Sequence, residues 1–256
     1  METTQDQLPI RAVGTCFRLI EALEDRREAG VTELARELDI SKGTVHKHLS
    51  TLQSLGYVER DNGTYRLGFR FLGIGERVRS HNQFCLAARP AIDNLAETTS
   101  ATVSLMIHQH DLGVYAYRAG VTYDTGGFLP PVGGSVYLHA TAGGKAILSQ
   151  LSTEQIDEVI EQRGLTECTG KTITTKDELT EELQSVRDRG LAFERGEHVP
   201  SIQCVGAPIT TPSGSVASIT AAGNIDKMSG KKLEEDIAGL VISASNAVEV
   251  SLLQEV

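Results

Sequence analysis

The sequence predicts an α+β protein in two parts, a winged helix-turn-helix at the N-terminus and a larger mixed domain behind it. Three observations carry this. Between residues 11 and 55 three stretches have helical apolar spacing, and only Asp39-Ile40-Ser41 separates the second from the third. Two short β-type runs then flank Asn62-Gly63, the strongest local hairpin signal. From about residue 83 helical and strand patterns are mixed, separated by turn and capping signals.

In chain order, Val13, Phe17, Ile20 and Leu23, with Leu19, recur at helical spacing and form the expected core stripe of a first helix. Gly30 is read as its end, and Thr32 as the cap of a short helix from Glu33 to Leu38. Ser41 is the expected N-cap of a third helix running to about Leu55, stopped by Gly56. Tyr57 to Arg60 and Thr64 to Leu67 are the two strands of the wing. An amphipathic helix from about Phe69 to His81 follows as a linker. The domains are therefore set at 1–68, a linker at 69–82, and 83–256.

In the second part, residues 87–98 read as a helix, and Thr102 to Ile107 and Val114 to Arg118 as strands. Gly126 to Val136 is a loop rich in Gly and Pro. Thr141 opens a helix through Leu151, and Ser152-x-x-Gln155 and Thr175-x-x-Glu178 are capping boxes of two more. Cys204 to Ile209 and Ser215 to Ala221 are strands around Pro212-Ser213-Gly214. Leu233 to Leu253 is a closing helix, with Ile237, Leu240, Val241, Ala244 and Val248 expected on one face.

The 256 residues exceed the usual size of one domain, about 100–200 residues. No run of ~18 apolar residues and no basic, apolar leader is present, so a cytoplasmic protein without a membrane span is expected. Cys16, Cys85, Cys168 and Cys204 have no short spacing and are expected as free thiols. The net charge of −10 argues at first against a nucleic-acid partner. Residues 1–80, however, hold as many basic as acidic side chains, and Lys42, Lys47, Arg60, Arg66 and Arg70 outnumber Glu59 and Asp61 within 40–70. The second part carries the acidic surplus.

On the third helix Val45, Leu49 and Leu52 share one face. Gly43, Lys47, Ser50 and Ser54 lie opposite, flanked by Thr44, His46 and Thr51. A small, polar and basic face suits the major groove: the backbone can approach, Lys and His donate to guanine, and Thr contacts a thymine methyl. The N-terminal part of such a helix meets base edges, which selects Ser41, Lys42, Gly43, Thr44, His46 and Lys47. Arg60 and Arg66 on the wing are expected on phosphates. The alternative is a merely solvated helix face. Ala142-Gly143-Gly144, in the first turn after Thr141, offers backbone N–H groups without bulky side chains to an anion. Close helix–sheet packing explains those glycines equally well.

The quoted segments resemble the IclR-type transcriptional regulators. Ser41 to Leu49, Gly56 to Arg60 and Tyr65 to Gly68 match in the first part. Leu138 to Ala146 and Ile202 to Pro208 match in the second, with Ser201, Gly206 and Ala222 departing from the usual residues. The resemblance implies a GAF-like effector-binding C-terminal domain, homodimers paired through the N-terminal domains or tetramers, and control of catabolic genes. The partners it implies are double-stranded operator DNA and a small organic metabolite. It places the effector against Ala142, Gly143, Glu194, Cys204, Thr220 and Ala222. Phe128 and Leu129 are expected as a lid.

Other chemistries find little support. His108 and His110 share a strand face but lack a third metal ligand. Gly143-Gly144-Lys145-Ala146 lacks the spacing of a phosphate-binding loop. No nucleophile–base arrangement is visible, so no catalytic residue, metal or cofactor is expected. A thiol sensor built on Cys204 lacks the basic neighbours that would activate it.

Overall fold

A computed structural model describes residues 8–120, 129–228 and 230–254. The chain divides into two units, Met1–Val78 and Arg79–Val256.

The first unit opens with helix α1, Arg11–Arg26, which buries Thr15, Leu19, Ala22 and Leu23. Val13 and Phe17, expected in the core, are 50% and 56% exposed. At 100° per residue Val13 and Phe17 lie about 120° from Leu19 and Leu23, with Cys16 and Ile20 between them, so α1 has one wide apolar face of which the folded unit fully buries only the Leu19–Leu23 side. Gly30 does not end α1. It belongs to a two-residue strand β1, Ala29–Gly30, and caps helix α2, Val31–Glu37. Its N–H donates to the Glu33 carboxylate at 2.7 Å, so Thr32 is not the cap. Helix α3, Lys42–Ser54, begins at Ser41, whose hydroxyl accepts from Thr44 N–H. It buries Val45, Leu49 and Leu52. Strands β2, Val58–Asp61, and β3, Thr64–Leu67, form the wing. Asn62 and Gly63 both have positive φ, as an Asn-Gly hairpin turn requires. The three strands are ordered β1-β3-β2. Leu19, Leu23, Leu34, Val45, Leu49 and Tyr65 form the core. Helix α4, Arg70–Ser80, buries none of its residues. Arg70 ties its start to the wing, stacking on Tyr57 and donating to Leu55 O.

The second unit is a six-stranded antiparallel sheet with helices on both faces. The strands are β4 (Thr102–Gln109), β5 (Leu112–Ala119), β6 (Ser135–Val136), β7 (Ala192–Arg195), β8 (Ile202–Thr210) and β9 (Val216–Asn224), in the order β6-β5-β4-β9-β8-β7. One face packs on helix α5, Gln83–Thr99, and helix α9, Ala238–Gln254, which follows a π turn at Lys232–Ile237. Val103, Leu105, Val205, Ala207, Ile219 and Ala221 meet Ile92, Leu95, Val241 and Val248 there. The alternate residues face helices α6 (Ala142–Leu148), α7 (Thr153–Arg163) and α8 (Lys176–Arg189).

Several local expectations need correction. Leu240 is 39% exposed, and the buried face of α9 is Ala238, Val241, Ser245, Val248 and Leu252. The stretch Lys232–Gln254 is long and apolar enough to span a membrane by composition. Here it lays one face on the sheet instead. Ser152 and Gln155 form a full capping box. At Thr175 the Glu178 carboxylate binds the hydroxyl rather than the backbone N–H. His110 lies in the β4–β5 turn with positive φ, not on a strand face with His108.

Candidate functional site

Two surfaces hold the chemistry. The first is α3 with its wing. Ser41, Lys42, Gly43, His46 and Lys47 are exposed and Thr44 is half-buried. Lys42 and Lys47 form no ion pair among the described residues, so both charges are available. The Ser41 and Thr44 hydroxyls lie 2.9 Å apart and satisfy one another. Those of Thr51 and Ser54 turn back onto backbone carbonyls of their own helix. Arg60 lies over the Tyr65 ring at 5.5 Å. Arg66 donates twice to its cross-strand partner Glu59, both bonds at 3.0 Å. That pair is half exposed and adds little stability. Only Nε and Nη2 of Arg66 are engaged by Glu59, which leaves the Nη1 donors of the guanidinium outside the pair.

The second is a cavity under α6 on the sheet. Its walls include all six expected effector contacts, Ala142, Gly143, Glu194, Cys204, Thr220 and Ala222. Strand register explains the gathering. Glu194 pairs with Cys204 and Cys204 with Ala222, while the next row pairs Gly206 with Thr220 and Thr220 with Ser104. Residues two apart on a strand share a face, so both rows look toward α6.

Helix α6 sits close because glycines let it. A Cβ on Gly144 would lie 2.1 Å from Leu138 O, and one on Gly143 would lie 2.8 Å from Thr220 Cγ2. Close helix–sheet packing therefore accounts for Gly143, whereas Gly144 is required by the turn at Leu138–Ala140 that precedes α6. Such packing does not exclude a ligand role for Gly143, which is also a cavity wall. The Thr141 hydroxyl already accepts from Gly144 N–H. Helix geometry leaves the N–H groups of Ala142 and Gly143 without intrahelical acceptors. The cavity is tight, with about 10 Å³ open to the centre of a water, room for roughly one.

Glu194 is 2% exposed, and its Oε1 accepts from the N–H groups of Glu197 at 2.7 Å and His198 at 3.2 Å. Burial raises its pKa, opposed by the His198 N–H, the Cys204 thiol and the Glu197 N–H. The Cys204 thiol is pushed well above its ordinary value by burial and by Glu194. Such a thiol is a poor nucleophile, which counts against the redox sensor. Glu197, whose N–H holds Glu194, is gripped through its carboxylate by Lys145 at 2.8 and 2.9 Å. Lys145 is 1% exposed and also meets Glu182 at 3.3 Å. The lysine of the Gly-Lys stretch thus fixes the loop that positions Glu194.

Sequence reasoning missed Ser104, Met106, Tyr115, His198, Val199 and Ile202, which complete the walls with Thr141 and Leu129. Phe128, the other expected lid residue, lies outside the described residues. Three buried polar atoms in or beside the walls have no hydrogen-bond partner among the described residues: His198 Nδ1 in the wall itself, and Ser218 Oγ and Arg118 Nη2 on residues that pair with the wall residues Met106 and Ser104. Burial lowers the His198 pKa and favours the neutral ring. No group of three or more metal-ligating side chains occurs among the described residues.

Comparison with known proteins matches stretches of both units to one family. Residues 77–250 match the C-terminal domain of IclR bacterial transcriptional regulators, and residues 16–62 match the IclR helix-turn-helix domain. The chain is 29% identical over 247 residues to a probable HTH-type transcriptional regulator ArcR of Halobacterium salinarum, covering 95% of this chain and 94% of that one. It is 27% identical over 240 residues to the transcriptional repressor IclR of Escherichia coli, covering 92% and 87%. An IclR homologue of Microbacterium hydrocarbonoxydans, solved in complex with 4-hydroxybenzoate, superposes with a TM-score of 0.78 at 19% identity over 95% and 99% of the chains.

Proposed function

This chain belongs to the IclR family of transcriptional regulators, and from that premise we propose how it works. It binds operator DNA through α3 and the β2–β3 wing, and its hold on that DNA changes when the cavity under α6 takes up a small organic metabolite. The observation that carries the reading is an unpartnered buried polar atom in the cavity wall, His198 Nδ1, with two more, Ser218 Oγ and Arg118 Nη2, on residues that pair with the wall residues Met106 and Ser104. Such groups cost about 1–3 kcal/mol each when left unsatisfied, and a polar ligand removes that cost. The ligand's contacts are Ala142, Gly143, Glu194, Cys204, Thr220 and Ala222. Acceptance of 4-hydroxybenzoate by a relative of the same fold supports an organic metabolite as the class.

On DNA, Lys42, His46 and Lys47 read base edges or phosphates, with Ser41, Gly43 and Thr44 at the close approach. Arg60 and Arg66 hold the backbone. The protein acts in the cytoplasm on metabolic genes and performs no catalytic step. It works as a homodimer or tetramer. The exposed Val13 and Phe17 of α1, and Phe69, Leu72 and Val78 on and before α4, support self-association.

Genome-wide binding of the tagged protein across several carbon sources tests this. Sharp promoter peaks that change with carbon source are expected, and an absence of peaks under every condition overturns the reading. With one such promoter, Lys47→Ala should weaken binding and reduce the salt slope by about 1 if Lys47 meets a phosphate.

A further inference from the structure

Strand β5 contains a bulge that the sequence pattern hides. Opposite β4, Tyr115 pairs with Met106 and Tyr117 with Leu105, leaving Ala116 as the extra residue. Arg118 then pairs with Ser104. Tyr115 and Arg118 are three apart, which in a regular strand puts them on opposite faces. The bulge puts them on the same face, with Ser104 and Met106.

The Arg118 guanidinium is fixed on three sides. It stacks over the Tyr115 ring at 4.6 Å. Its Nε donates to Ser104 Oγ at 3.0 Å, and its Nη1 to Pro130 O at 2.7 Å. Ser104, Tyr115 and Leu129, the neighbour of Pro130, are cavity walls, and Arg118, not itself a wall, stands against two of them, Ser104 and Tyr115. The remaining nitrogen, Nη2, is buried with no hydrogen-bond partner among the described residues. Arg118 also forms no ion pair with a described carboxylate. Arg118 as a whole is half-buried, and a partly desolvated cation without a counter-charge carries a cost that a bound anion would remove. Burial accordingly lowers its pKa, and the acidic groups that oppose this are Tyr115 and Cys204, both neutral near pH 7.

We propose that Arg118 is the specificity-determining residue of the cavity and takes the carboxylate of a small organic acid on Nη2. The Thr220 hydroxyl and the buried Ser218 hydroxyl lie on the same face, two strands away. Glu194 and His198 lie toward the far edge of the sheet and take a second polar group of the ligand. One guanidinium at one end and one buried carboxyl toward the other match a monoanion, whereas a dianion would leave one charge unpaired against Glu194. This role rests on the effector-sensing reading given above.

The test uses the full chain and matched pairs of acid and primary amide: lactate and lactamide, benzoate and benzamide, 4-hydroxybenzoate and 4-hydroxybenzamide. Thermal shift and calorimetry are compared for wild type, Arg118→Met and Arg118→Lys. In the wild type at least one acid should bind and its amide should not. Arg118→Met should weaken that acid by about 10- to 100-fold, as expected for loss of a charged hydrogen bond, and should abolish the preference over the amide. Arg118→Lys, which keeps the charge without the planar fork, should be intermediate and decides the matter if the Met variant does not fold. Undiminished acid preference in the variants overturns the role of Arg118 while leaving effector sensing intact. An amide bound as well as its acid by the wild type does the same. Failure of every compound to bind the wild type overturns the sensing reading, and this role with it.

Discussion

At the scale of single residues, Glu194 has the most specific consequence. Its carboxyl is buried among N–H donors and a thiol, and burial raises its pKa. The folded state therefore holds the proton more tightly than the unfolded chain, where a Glu titrates near 4.3. That stabilisation is complete below about 4.3 and is lost as pH rises through the folded value. Glu197 shifts the same way, because burial outweighs Lys145. We expect Glu194→Gln to flatten the fall in stability with rising pH, followed by urea unfolding from pH 4 upward, and Glu197 to account for what remains. An unchanged profile would show that Glu194 does not titrate differently on folding.

At the scale of elements, α6 is held by two adjacent glycines with different duties. A Cβ on Gly144 meets backbone, Leu138 O at 2.1 Å. One on Gly143 meets side-chain atoms that can move, Thr220 Cγ2 at 2.8 Å and Ser218 Oγ at 2.9 Å. Gly144→Ala should therefore cost stability in the upper part of the overpacking range, about 1–3 kcal/mol. Gly143→Ala should cost less, while filling the cavity and silencing the ligand response with DNA binding retained. Denaturation curves and a DNA-binding assay with ligand separate the two. The same scale shows what could be read beforehand. Ser41, Gly56 and Asn62-Gly63 announce α3 and the wing because caps and turns are local chemistry. The strands carrying Cys204 and Thr220 are legible as β-type runs around Pro212-Ser213-Gly214, whereas the strand of Glu194 is not, and the effector roles of all three came from the family resemblance. Helix α1 is half legible: its apolar face is wider than the core can cover, and only the fold decides which side of it is buried. The gap at Tyr115 and Arg118 has another cause. A bulge shifts the alternation by one, and no residue type marks Ala116 as the extra one.

At the scale of the whole molecule, each unit has its own hydrophobic core, Leu19, Leu49 and Tyr65 in one and Ile92, Val205 and Ile219 in the other. The acidic surplus falls on residues 81–256, leaving the DNA-facing unit neutral overall and basic along its reading surface. Like charge on the larger unit discourages loose adhesion to polyanions, so discrimination falls to α3 and the wing. The cavity itself, with room for about one water, has a kinetic consequence. On the sensing role proposed above, a metabolite larger than water needs the described walls, such as α6, Leu129 or the loop at His198, to yield, and the frequency of that opening belongs to the protein, not to the metabolite. In stopped-flow mixing the rate of response should rise with metabolite concentration and then level off at the opening rate, and one plateau should serve acids of different affinity. A rate that climbs linearly without limit would mean a door that stands open.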